Sequence, residues 1–157
     1  MIRTFKTRVM DKAGTLNRLT SLFVRRQFNI ITLSAIPTKD AGVSEITFVV
    51  EVDDADTLRN LTLQLQKQIN VLEVEDITDI NTYNRELVLF KIPNDKRDTQ
   101  LQSIFDSYNG AVTILKKDGP FTYVQATGPH YTMENLLDDL SDYDVTHLSR
   151  TGSVGIV

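Results

Sequence analysis

Two ferredoxin-like βαββαβ sandwiches in tandem, an α+β fold, are what this sequence predicts, on three observations. Segments that alternate apolar and polar residues are interleaved with segments whose apolar residues recur every three or four positions, which separates strands from helices. The order strand-helix-strand-strand-helix-strand occurs twice in the 157 residues. Each pass takes roughly 75–80 residues, near the lower end of domain size. The expected division is residues 1–80 and 81–157, each an antiparallel sheet with its helices on one face.

Residues 2–10 place Phe5, Thr7 and Val9 on one face and Lys6 and Arg8 on the other, the signature of a half-buried strand. A turn at Asp11 to Gly14 leads into an amphipathic helix running from Thr15 to about Gln27, with Leu16, Leu19, Leu22 and Phe23 on its apolar face. Phe28 to Ile36 forms a second strand, stopped by Pro37 because proline cannot donate to a sheet ladder. Thr38 to Gly42 turns the chain into a third strand, where Ile46, Phe48, Val50 and Val52 alternate with polar residues. Asp54 or Asp56 caps a second helix with Leu58, Leu61, Leu65 and Ile69 on one face, since carboxylates complement a helix N-terminus. Val71 to Ile80 closes the first pass as a strand with Leu72, Val74, Thr78 and Ile80 inward.

The second pass opens with a strand from Leu87 to Ile92, stopped by Pro93. Leu101, Ile104, Phe105 and Tyr108 mark a helix closed by Asn109-Gly110. Ala111 to Leu115 and Phe121 to Thr127 form a hairpin around Asp118-Gly119-Pro120. Met133, Leu136, Leu137 and Leu140 mark the last helix, and Val145, His147 and Leu148 the last strand before a glycine-containing tail. Units this small bury a modest share of their surface, so a homodimer is expected.

Composition narrows the function classes. With 17 Lys+Arg against 21 Asp+Glu the net charge is −4, and no basic stripe exists to hold a nucleic acid. The Arg25-Arg26 pair reads as the solvated end of a helix. No run approaches the roughly 18 apolar residues of a membrane span, and the first residues read as a strand rather than a signal peptide. The absence of cysteine removes disulfides, thiolate metal sites and a cysteine nucleophile, and fits a cytoplasmic protein.

Catalytic signals are sparse. His130 and His147 lie apart, without metal-ligand spacing, and no nucleophile-elbow, phosphate-loop or dinucleotide glycine pattern occurs. The acidic groups Asp53/Asp54/Asp56, Glu73/Glu75/Asp79 and Asp138/Asp139/Asp142 read as helix ends and a solvent-facing strand face. No catalytic residue and no metal ligand is assigned. The remaining feature is Asp11-Lys12-Ala13-Gly14-Thr15-Leu16, a glycine-containing strand-to-helix junction. Exposed amides at a helix start favour an anion such as a carboxylate, while the spacing alone also fits a plain turn.

The run Val9-Met10-Asp11-Lys12-Ala13-Gly14-Thr15-Leu16-Asn17-Arg18, then Leu22-Phe23, Arg26-Gln27-Phe28-Asn29-Ile30 and Leu33, resembles the opening of the small regulatory subunits of acetohydroxyacid (acetolactate) synthase. That opening is an ACT domain, an amino-acid-sensing ferredoxin-like module. The resemblance continues through Arg85-Glu86-Leu87-Val88-Leu89-Phe90-Lys91-Ile92 and the ending Ser149-Arg150-Thr151-Gly152-Ser153-Val154-Gly155. It implies a non-catalytic partner of a large catalytic subunit that carries thiamine diphosphate, FAD and Mg and condenses pyruvate with a second 2-oxo acid. It further implies that this chain raises that activity, confers feedback inhibition by valine or a related branched-chain amino acid, and holds no cofactor itself.

By the same resemblance the effector sits between two ACT domains of a homodimer, touched by Asp11, Ala13, Gly14, Thr15 and Leu16 of one chain and by Asn29 and Ile30 of the other. Gly14 and the amides near Thr15 and Leu16 receive the carboxylate, Asp11 and Asn29 meet the ammonium or orient the ligand, and Leu16 and Ile30 line an aliphatic pocket. Asp11 departs from the asparagine common in the family. Its charge either pairs with the ligand ammonium or repels the carboxylate. The alternative reading is a free-standing ACT-type sensor or assembly module acting on another protein, and a third is a small ferredoxin-like enzyme.

Overall fold

The computed structural model describes residues 1–78, 83–94 and 98–156. The chain forms two compact units, Met1–Tyr83 together with the tail from Ser153, and Asn84–Gly152. The 80/81 division expected from sequence lies outside the described residues, as do Asp79 and Ile80, but the strand expected from Val71 to Ile80 already ends at Asp76, ahead of Ile77 and Thr78.

In the first unit β1 (Ile2–Met10), α1 (Thr15–Arg25), β2 (Ile30–Pro37), β3 (Val43–Glu51), α2 (Ala55–Gln66) and β4 (Val71–Asp76) follow in the βαββαβ order. The antiparallel sheet runs β2-β3-β1-β4. Phe5, Val9, Phe48 and Val50 from the sheet meet Leu19, Leu22, Phe23, Leu61 and Leu65 from the helices. Phe48 stacks on Phe5 with centroids 5.5 Å apart and takes Phe23 edge-on at 5.0 Å, so three aromatic rings join α1 to the two central strands. Such pairs contribute about 0.5–1.5 kcal/mol each beyond the area they bury.

Three local expectations change. First, α1 stops at Arg25 rather than Gln27, because Gln27 takes φ 59° and two backbone bonds close the turn: Gln27 N–H to Val24 O at 3.1 Å and Phe28 N–H to Phe23 O at 3.0 Å. This paired closure is a Schellman end built without glycine. Second, Ile69 lies past the end of α2 and is 68% exposed, the chain having turned at Gln68–Asn70. Third, Leu72 faces solvent. β4 carries a bulge against β1, where Arg8 pairs with Glu73 but Val9 pairs with Val71, and the extra residue puts Val71 and Val74 on the core side together. A one-residue slip of this kind sends the intervening side chain to the other face.

Pro37 is the last residue of β2 rather than the residue after it, and the edge position of that strand tolerates the missing N–H.

The second unit repeats the order with β5 (Tyr83–Pro93), α3 (Asp98–Ser107), β6 (Val112–Asp118), β7 (Phe121–Gly128), α4 (His130–Asp139) and β8 (Thr146–Arg150), its sheet running β6-β7-β5-β8. β6 runs on past Leu115 because Lys116, Lys117 and Asp118 keep their partners across the hairpin, Asp118 opposite Phe121. Val88, Phe90, Ile92, Val124 and Ala126 of the sheet pack on Leu101, Phe105, Met133, Leu136 and Leu140. A short strand, β9 (Val154–Ile156), ends the chain. Among the described residues no helix is long and apolar enough to cross a membrane.

Candidate functional site

The β1–α1 junction is held by segments far away in sequence. Met10 N–H donates to Asn70 O at 2.8 Å and Asp11 N–H to Gly42 O at 2.7 Å, so the turns before β4 and before β3 both fix where β1 ends. Thr15 is 4% exposed; its hydroxyl donates to Met10 O at 3.1 Å and accepts from the Asn70 side-chain amide at 3.2 Å. The Thr15 N–H is likewise spent on Lys12 O at 3.0 Å. Thr15 thus holds the loop's shape, and its amide is already engaged.

The free donors are its neighbours. Among the described residues the amides of Ala13, Gly14, Leu16 and Asn17 meet no protein acceptor. Gly14 is the α1 N-cap at φ 85°, ψ −3°, with no side-chain cap and no acidic residue in the first turn. The other helix of this unit differs: Asp54 accepts from Thr57 N–H at 2.7 Å and closes the α2 start. That hydrogen bond from Thr57 also holds the Asp54 carboxyl below its usual pKa. A helix start whose donors are unspent and whose partial positive charge is unneutralised suits an anion.

Asp11 and Leu16 are exposed at the mouth of this loop, Leu16 at 42%, although its spacing placed it with the buried face of α1. Asn29 is exposed and Ile30 half-buried at the start of β2, beyond the other end of α1. The eleven residues of α1 run from the Gly14 loop toward Asn29 and Ile30, and at about 1.5 Å per residue the helix spans roughly 16 Å. One copy of the chain therefore does not bring Asn29 and Ile30 to the Gly14 loop.

Sequence reasoning missed Asn70. It sits in a left-handed conformation, φ 75°, and contacts the loop through both its carbonyl and its side chain. No local pattern points from a turn asparagine to a threonine 55 positions away.

A charged cluster in the second unit was also missed. Glu86, with a side chain 3% exposed, accepts from Arg150 at 2.6 Å and lies 2.8 Å from His130 Nδ1. Arg150 also pairs with Glu134 at 2.6 Å. The hydrogen bond from Arg150 holds the Glu134 carboxyl below its usual pKa. These contacts tie β5, α4 and β8 together. Among the described residues no group of three or more His, Cys, Asp or Glu is arranged to hold a metal.

The fold is that of a βαββαβ ferredoxin-like module, and residues 5–73 match the family model described as the AHAS small subunit-like ACT domain. Residues 85–157 match the model for the small subunit of acetolactate synthase. Over 98% of its length the chain is 37% identical to the acetolactate synthase small subunit of Bacillus subtilis, covering 88% of that protein. It is 32% identical to the acetolactate synthase small subunit of Mycolicibacterium smegmatis, with 98% and 89% of the two chains covered. The chain belongs to the acetolactate synthase small-subunit family. The crystal structure of the Thermotoga maritima small subunit has the same fold, with a TM-score of 0.87 at 23% identity over 99% of this chain and 96% of that one.

Proposed function

We propose that this chain is a regulatory subunit that binds and activates a catalytic acetolactate synthase subunit in the cytoplasm, and makes it sensitive to valine or a related branched-chain amino acid. It is non-catalytic by itself: thiamine diphosphate, FAD and Mg belong to the partner, which performs the condensation. The observation that carries the sensing half is the α1 start, four unspent amides at Gly14 and its neighbours with no capping carboxylate. A ligand carboxylate takes those amides. Exposed Leu16 offers aliphatic surface, and the exposed Asp11 carboxylate meets the ammonium.

A homodimer supplies the rest of the site. β2 is an edge strand and exposes Ile31, Leu33 and Ile36. The register places Met10 beside Val43, and Ser44 beside Pro37, so the Gly14 loop lies at the sheet end where β2 finishes. Antiparallel pairing of two β2 edges sets Ile30 of one copy beside Pro37 of the other. That brings the partner's Asn29 and Ile30 to the loop end, the meeting that α1 prevents within one copy. Effector and catalytic subunit are then linked through one dimer, and each changes the other's affinity by a common factor.

The test is acetolactate formation by the purified cognate catalytic subunit, with and without this chain, over a valine titration. Activation reversed by valine is expected. Activation without inhibition by any branched-chain amino acid overturns the sensing assignment, and no activation by the folded chain overturns the regulatory one in favour of a free-standing sensor.

A further inference from the structure

The first unit carries a cleft away from the Gly14 loop, lined by residues just past the end of α1 and by one side of α2. Its volume is about 230 Å³, and its walls are Arg26, Phe28, Asp53, Thr57, Asn60, Leu61 and Gln64. That is below the roughly 300–1,000 Å³ of sites for drug-sized ligands, so its occupant is smaller. Four of the wall residues, Thr57, Asn60, Leu61 and Gln64, are spaced to form one stripe along α2.

The walls of this cleft carry two charges of opposite sign, Arg26 and Asp53. Some charges of this unit are spent on ion pairs, Lys6 with Glu45 and Arg8 with Asp40 and Glu73. Arg26 and Asp53 have no ion-pair or side-chain hydrogen-bond partner among the described residues, not even each other, although they line the same cleft. Nor is Asp53 used to cap α2, since the neighbouring Asp54 does that. The cleft therefore presents a guanidinium suited to a carboxylate, a carboxylate suited to an ammonium, and between them mostly amide and hydroxyl groups over the small apolar floor of Phe28 and Leu61.

We propose that this cleft is a second ligand site, for a small zwitterion with a polar side chain, held by Arg26 through its carboxylate and by Asp53 through its ammonium. The amides of Asn60 and Gln64 select a hydrogen-bonding side chain over the aliphatic one expected at the Gly14 loop. A binding event here lies against both ends that orient α1 and α2, apart from the residues assigned to the branched-chain effector.

Amide NMR of the full chain during a titration with L-glutamine tests this, with N-acetyl-L-glutamine and L-glutaminamide as probes lacking the ammonium and the carboxylate. Saturable shifts are expected at Arg26, Phe28, Thr57, Asn60 and Gln64, with neither analogue reproducing them. Arg26→Gln and Asp53→Asn, both at exposed positions, are each expected to weaken L-glutamine binding at least ten-fold. Absence of saturable shifts at those residues, an equal response to either analogue, or unchanged binding by both variants overturns the proposal. Shifts confined to Gly14 to Asn17 also overturn it, while leaving the branched-chain site untouched.

Discussion

Substituting Gly14 with aspartate separates the sensing role of the α1 start from its structural role. The position has φ +85° and nothing within 4 Å of an added Cβ, so a side chain meets no steric obstacle and the cost is backbone strain alone. For a non-glycine residue in the left-handed region that strain is roughly 1–2 kcal/mol, with Asp better tolerated than most. The new carboxylate stands at the four free amides, where a ligand carboxylate is proposed to bind. Two unit charges about 4 Å apart repel by about 1 kcal/mol in bulk water and about 4 kcal/mol at an effective dielectric of 20. Effector affinity should therefore fall between about five-fold and a thousand-fold, where 1.4 kcal/mol is ten-fold. Gly14→Ala shares the strain without the charge and should lose much less. The assay is acetolactate formation by the reconstituted enzyme over a valine titration, with valine binding measured by calorimetry. A folded Gly14→Asp chain that activates its partner and keeps the unaltered valine response would refute the assignment of the carboxylate to this helix start.

Three further substitutions test the contacts. Asn70→Ala removes the brace on Thr15 and should weaken the valine response while costing more than about 0.5–1.5 kcal/mol, the net value of one hydrogen bond, in a urea titration, because alanine tolerates the left-handed φ of 75° less well than asparagine. Arg150→Met leaves the buried Glu86 carboxylate with only His130 and should destabilise the chain by about 3 kcal/mol, the low end for breaking a buried pair because Arg150 is itself 25% exposed; an unchanged urea midpoint would contradict it. Because Arg150 depresses the Glu134 pKa, its contribution is present above the ordinary value of 4.5 and is lost as pH falls below it, so Arg150→Met should also lessen the dependence of stability on pH in that acid range. Burial, then the hydrogen bond to Asp139, push the Tyr108 phenol up to about 12. The stability tied to that neutral phenol is present below pH 10 and lost as pH rises toward 12, and Tyr108→Phe should remove the late phenolate seen in an ultraviolet titration.

The order of elements in the two βαββαβ passes, the inward faces of the central strands and the position of the Gly14 junction were legible in the sequence, because periodicity and turn chemistry are local properties of a few consecutive residues, whereas the short strand Val154–Ile156 was read as a tail. Phe5 and Val9, Phe48 and Val50, Leu61 and Leu65 could be assigned to the core in this way. Family membership was legible too, from three separated runs of residues, and the family matches show it. What only the tertiary structure decided depends on register between distant segments. Leu72 turns outward because β4 slips by one residue against β1, and Leu16 opens to solvent although its neighbour Thr15 and Leu19 one turn on are buried. The brace of Asn70 on Thr15 joins residues 55 positions apart, and the bond of Arg150 to Glu86 joins residues 64 apart. The sequence shows the types of these side chains, but hydrogen bonds act over about 3 Å, and only the packing of the core brings such partners within that reach.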